Sequence, residues 1–212
     1  DDIINQAEIN GSVFFSGNIN DPRVKADLFA DKFVINNIGY YQAEIHLQSN
    51  SSKIFADSLI IYLNNLPILN GTLVYQIQDQ TITSHLSGAN IDIGPLLATV
   101  DPGSKLLKGI ADFDVKISGM IQKPDIAAKL SFVNGEIATV EFDEMILEIA
   151  DSLKTSGRFV NAQDHIISIK NAELTKTGKY QLNLNGNLPL DATDSLSVRG
   201  EFWGDLFAFI PK

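Results

Sequence analysis

FDVKISGMIQKPDIAAKLSF, residues 113–132, alternates apolar and polar side chains from Phe113 to Ser118, breaks at Gly119 and Pro124, and resumes the alternation through Ile126, Ala128, Leu130 and Phe132. A period of two puts successive side chains on opposite faces of a strand, so this stretch predicts two strands, each with one oily and one wet face. Glycine permits a bend or bulge, and proline, which cannot donate to a ladder, belongs at a strand start or an edge. The predicted unit is a strand, a sharp turn and a new strand whose apolar side chains return to the same surface.

The same pattern recurs along the chain, at SVFFSGNI, RVKADLFA, QAEIHLQS, DSLIIYLN, GTLVYQIQ, TITSHLSG, ADFDVKISG, DIAAKLSF, MILEIAD, HIISIK, KYQLNLNGNL and SLSVRGEF. Strands of this kind joined by short turns make an antiparallel meander. Asn10-Gly11, Asn70-Gly71 and Asn134-Gly135 are the dipeptides expected at tight hairpins. Helical periodicity is confined to Gly94–Leu107, where Pro95 can open a turn or two through Leu96, Leu97 and Val100, and to Trp203–Ile210. Either segment could gate an apolar surface or simply plug it with greasy side chains.

SGNINDPRVKADL set over SGMIQKPDIAAKL matches Ser16 with Ser118, Gly17 with Gly119, Ile19 with Ile121, Pro22 with Pro124, Ala26 with Ala128 and Leu28 with Leu130. The chain therefore reads as two copies of a β-unit of about a hundred residues, 1–108 and 109–212, in one continuous sheet.

Composition narrows the function. The 212 residues carry 16 basic and 26 acidic side chains, a formal net charge of -10, which disfavours nucleic acid and anionic membrane surfaces as partners. The absence of cysteine removes disulfides, thiolate zinc sites and thiol nucleophiles. His46, His85 and His165 are scattered, and the first two fall on polar positions of alternating strands, as surface histidines do. Asp112 and Asp114 share the wet face of their strand. EFDEM and DATDS lack calcium-ligand spacing, and no phosphate-binding loop or serine elbow occurs. The expectation is a protein that is not an enzyme and holds no metal or cofactor.

What fills the oily face is left open by the alternation itself: a second sheet, closure into a small barrel, or an apolar guest in an open trough. The candidate lining is Val13, Phe15, Ile19, Val24, Leu28, Ile45, Leu47, Leu73, Tyr75, Ile77, Ile82 and Leu86 in the first unit. In the second it is Phe113, Val115, Ile117, Ile121, Ile126, Leu130, Phe132, Tyr180, Leu182 and Leu184. These side chains are almost all hydrocarbon, a chemistry that suits acyl tails at roughly 0.8 kcal/mol per buried methylene.

The repeated G-x-I-x-x-P-x-[IV]-x-A-x-L units, together with IDIGPLLATVDPGSKLLKGIADFDVKISG, resemble the TamB family of bacterial envelope proteins within the AsmA-like group. KGIADFDVKISGMIQKPDIAAKLSFVNGEI carries most of the likeness. The resemblance implies an all-β fold, a long curved antiparallel sheet forming a taco-like half-pipe with a hydrophobic interior. It implies an internal fragment of an inner-membrane-anchored periplasmic protein that conducts phospholipid toward the outer membrane. An outer-membrane barrel of the Omp85 type would be the partner, through regions outside this chain. The alternative is a scaffold that assembles outer-membrane β-barrels by strand pairing.

Overall fold

The computed structural model describes residues 4–35, 38–100, 107–153, 165–189, 197–205 and 207. The first six strands are β1 (Ile4–Asn18), β2 (Asp21–Ile35), β3 (Ile38–Ser49), β4 (Lys53–Leu63), β5 (Leu66–Gln76) and β6 (Thr81–Asp92). A short helix, α1 (Ile93–Val100), follows. The remaining strands are β7 (Leu107–Met120), β8 (Lys123–Ile137), β9 (Val140–Leu153), β10 (His165–Lys176), β11 (Tyr180–Pro189) and β12 (Ser197–Gly204). The fold is all-β. The strands pair antiparallel in chain order in one twelve-stranded open sheet, with β1 and β12 as its edges. Each alternating stretch of the sequence falls on its own strand.

The glycine-proline signature works as its chemistry requires. Gly17 and Gly119 have φ of 88° and 96°, a region that favours glycine, and they stand opposite Pro22 and Pro124 in identical register. The Asn-Gly expectation does not hold. Asn10-Gly11 and Asn70-Gly71 lie inside β1 and β5, and Asn134-Gly135 lies inside β8. Among the described residues, the two-residue turns with both φ positive are Asn64-Asn65 (53° and 65°) and Ala138-Thr139 (47° and 73°). The spacing of the flanking apolar faces, which must stay in phase, overrides local turn preference there.

Phase is also kept by bulges. Between Ala56 and Leu59 the partner strand advances one residue fewer, from Leu73 to Gly71, so Asp57 and Ser58 take up the slack and both apolar neighbours remain on one face. Lys170-Asn171 does the same between Ile169 and Ala172. Ala89-Asn90 does so between Gly88 and Ile91, with Asn90 at φ 56° and its N–H held by the Asp112 carboxylate at 2.7 Å.

α1 follows β6 directly. The Asp92 carboxylate accepts a hydrogen bond from the Gly94 N–H at 3.0 Å, capping the first turn, where Pro95 costs no intrahelical bond. The helix packs against β7 and reaches β3. Of Trp203–Ile210, Trp203 belongs to β12, Phe207 forms a short turn, and Leu206 and 208–210 lie outside the described residues.

Burial is uneven. The core cluster is Ala111, Phe132, Phe142, Leu174 and Tyr180, with Ile93 of α1 packed against it. With Tyr41, Leu63 and Ile91, also buried, it lies toward the end of the sheet where α1 sits. The accessible surface is 13920 Å², against about 9,700 Å² expected for a compact chain of this mass. The described strands form a single sheet, with no second sheet among the described residues to cover it.

Candidate functional site

Directly paired residues share a face, so the register can be followed from strand to strand. One row runs Gly11, Leu28, Ile45, Leu59, Gly71, Leu86, Val115, Ala128, Ile149, Ile169, Gly186 and Val198, one residue from each of the twelve strands. Every member is apolar or glycine. At about 4.8 Å per strand the row extends for roughly 50 Å. Toward the helix end, Gly88, Phe113, Leu130, Leu147, Ala172, Leu184 and Gly200 form a second row. Beyond it lie Ile91, Ala111, Phe132, Met145, Leu174, Leu182 and Phe202.

On the other side of the long row, Val13, Ala26, Leu47, Ala56, Leu73, Ser84, Ile117 and Ile126 are paired in sequence. Ser84 is the one polar member, and its hydroxyl donates to the Thr72 carbonyl at 2.9 Å, so it adds no unsatisfied group. The last row, Phe15, Val24, Ser49, Ile54, Tyr75, Ile82, Gly119 and Pro124, reaches the hairpin tips. Here the face is open. Val13 and Phe15 are 50% and 75% exposed, Ile54 and Ile126 are also exposed, and Ile19, Ile77 and Ile121 stand out from three of the turns at this end, Ile19 at 98%.

The candidate lining thus falls into three positions. Phe132 and Tyr180 are buried in the cluster at the helix end, where the Tyr180 hydroxyl donates to the Glu141 carbonyl. Val24, Leu28, Ile45, Leu47, Leu73, Tyr75, Ile82, Leu86, Phe113, Val115, Ile117, Leu130, Leu182 and Leu184 are half-buried along the floor. Val13, Phe15, Ile19, Ile77, Ile121 and Ile126 form an exposed lip. The lining expected from sequence includes no residue of β4, β9, β10 or β12, although all four were expected as strands, and so leaves out Leu59, Ile61, Leu147, Ile149, Ile169 and Val198. In β4 and β10 the bulges place two polar residues in succession, which breaks the period of two. The signal that survives is the hydrocarbon on both sides of Asp57-Ser58 and Lys170-Asn171.

The opposite face is polar and laced by cross-strand pairs. His46 Nδ1 lies 2.5 Å from Asp27, His85 Nε2 lies 2.6 Å from Asp114, and Lys129 lies 2.9 Å from Glu148. Hydrogen bonding to Asp27 raises the His46 pKa, and hydrogen bonding to His85 lowers that of Asp114. Near the helix end Lys176 and the Thr177 N–H hold Asp143, each at 2.8 Å, and bring its carboxyl down to about 2. A hollow of about 660 Å³ between Lys25, Asp27, His46, Gln48 and Asp57 opens on this face. Among the described residues no group of three histidine or acidic side chains could hold a metal ion, and no helix is long and apolar enough to cross a membrane. No family model, no curated protein and no solved structure matches the chain.

Proposed function

We propose that the apolar face binds the acyl chains of phospholipid while the headgroups stay in water, and that the chain is a segment of a periplasmic bridge of the TamB kind, conducting lipid between inner and outer membrane. The observation that carries this reading is the row of apolar residues and glycines running unbroken through all twelve strands, beside side chains such as Val13, Phe15 and Ile126 that face solvent. Soluble proteins seldom leave so large a contiguous apolar surface exposed unless it meets a partner. A dozen methylenes at about 0.8 kcal/mol each would gain several kcal/mol after the cost of ordering the chain. A floor without polar anchors offers no deep well, so a bound tail could slide along it. The Omp85-type barrel would be met through regions outside this chain.

Native mass spectrometry of protein recovered from a bacterial membrane extract tests the reading. Co-purified phospholipid is the expected result; lipid-free spectra together with no binding of a fluorescent fatty acid would end it.

The alternative is strand pairing with outer-membrane β-barrel clients, which the open edges at β1 and β12 favour. A client strand that crosslinks to β1 while the protein takes up no lipid would support it instead.

A further inference from the structure

The apolar face is dry at one end of its strands and wet at the other. Two rows from the long floor row, toward α1, Tyr41 pairs with Leu63, and Ile91, Ala111 and Phe132 lead through Met145 to Leu174. Tyr41, Leu63, Ile91, Ala111, Phe132 and Leu174 are all buried. Ile93 of α1, Leu107, Ile137 and Val140 pack against the cluster to which Ala111, Phe132 and Leu174 belong, so protein fills the space over this row. Along β8 the exposure rises from 4% at Phe132 to 40% at Ile126, and along β4 the face passes from buried Leu63 to exposed Ile54. These are inner strands, each paired on both sides, so the contrast owes nothing to the edges of the sheet.

We propose that an acyl tail lies along the strands, its methyl end against the wall formed by Tyr41, Leu63, Ile91, Ala111 and Phe132 and its head beyond the hairpin tips, and that this wall sets the longest tail the face accepts. The inference rests on the proposed binding of acyl chains and adds the direction and the length of the chain. An amphiphile has one end that must be dry and one that must be wet, as this face does. The turns and strand starts beyond the tips carry both signs of charge, with Lys53, Asp79, Lys123 and Asp125, which suits a zwitterionic head.

The register supplies the ruler. On β7 the first floor residue clear of the wall is Phe113 and the last before the turn is Gly119, and these six steps of about 3.4 Å make roughly 20 Å. One leaflet of a bilayer holds tails of about sixteen carbons in roughly 15 Å, half of its ~30 Å hydrocarbon core, and such a tail drawn straight reaches about 20 Å. A longer tail must either push its methyl end into the packed row or leave methylenes in water at the tips. Movement from strand to strand along the floor keeps the tail at the same depth, so the limit holds wherever on the face the lipid sits.

Photolabelling of the unmodified chain tests the direction. A fatty acid with a diazirine at its methyl end should mark Phe113, Leu130 and the wall behind them, and the same acid with the diazirine beside its carboxyl should mark Ile54, Ile126 and the turns, as mapped by mass spectrometry of the digested protein. The same labels from both probes, spread from strand to strand along the floor, would overturn the orientation. Binding of a series of fatty acids from about twelve to about twenty-four carbons tests the limit. Affinity should climb, by up to roughly fourfold per methylene, until about sixteen carbons and then level off or fall. A climb that continues unchanged through the series would overturn the limit. Ala43→Leu combined with Ala172→Leu adds bulk one row in front of the wall and should move the break to shorter acids. An unmoved break in that variant, with circular dichroism matching the parent, would place the stop elsewhere and overturn the wall's role. No binding at any length and no labelling would end the acyl-chain reading itself, and the ruler with it.

Discussion

Gly135 and Phe142 face each other across the β8–β9 ladder, and the Phe142 ring fills the space where a β-carbon on Gly135 would stand. Phe142 is 1% exposed and belongs to the one well-packed cluster of the described residues, so it has nowhere to move. Gly135→Ala should therefore destabilise the chain by about 1–3 kcal/mol. At Gly71, on the open floor, an added β-carbon meets the end of the Leu86 side chain at 2.6 Å, which can rotate away. Gly71→Ala should cost clearly less, helped by the smaller entropy of its unfolded chain. Urea midpoints of the two variants give the comparison, and equal losses would contradict it.

Ala138 and Thr139 both adopt positive φ in the β8–β9 turn, a conformation that asparagine and glycine adopt more readily than alanine or a β-branched residue. Ala138→Asn combined with Thr139→Gly should stabilise the protein by about 1 kcal/mol. Thermal unfolding would read this as a higher midpoint. No gain would mean that neighbouring packing, and not the turn, sets its conformation.

His46 titrates above its ordinary 6.5 because Asp27 accepts its hydrogen bond. A folded pKa raised above the unfolded one means that the pair contributes fully below pH 6.5, and the contribution fades as pH rises through the raised value. Asp27→Asn should return the His46 titration toward 6.5 in an NMR pH series and remove that slope from the stability profile. An unmoved His46 would deny the Asp27 bond its role.

Asp143 behaves in the opposite sense. Its carboxyl sits at about 2 in the fold against 3.8 ordinarily, so the stability it supplies is present above pH 3.8 and is lost as pH falls toward 2. Asp143→Asn should flatten the acid side of the stability curve between those values. The variant should also loosen the β9–β10 end, since Lys176 and the Thr177 N–H lose a charged acceptor.

Leu130 stands on the floor between Phe113 and Leu147, and Lys129 beside it points to the polar face, where it pairs with Asp114 and Glu148 in the ladder. Leu130→Arg should weaken binding of a fluorescent fatty acid at least tenfold, about 1.4 kcal/mol, while Lys129→Glu should leave it nearly unchanged. Circular dichroism of both variants checks that the strands persist. Equal effects from the two faces would remove the reason to treat either as the binding surface.

The candidate floor was partly legible before any coordinates. Phe113, Val115 and Ile117 declare themselves because nothing interrupts the alternation around them, and their partners Leu130, Ala128 and Ile126 follow from the same pattern. Leu59 and Ile169 do not, because a bulge hides the phase that an unbroken strand displays. Asn134-Gly135 misleads for a related reason: it stands short of the true turn at Ala138-Thr139, and the glycine is needed where Phe142 closes over it.

The order of residues alone determined twelve strands, their oily and wet faces, the glycine-proline corners and a chemistry poor in reactive groups, since each depends on neighbours a few positions apart. Tertiary structure alone decided that the single sheet of described strands stays open and does not close into a sandwich or barrel, that α1 and the Phe132–Phe142 cluster fill one end, and that Phe15 and Ile19 stay bare at the other. A period of two tells which way a side chain points. Whether anything waits there to cover it depends on elements distant in sequence, which no local pattern encodes.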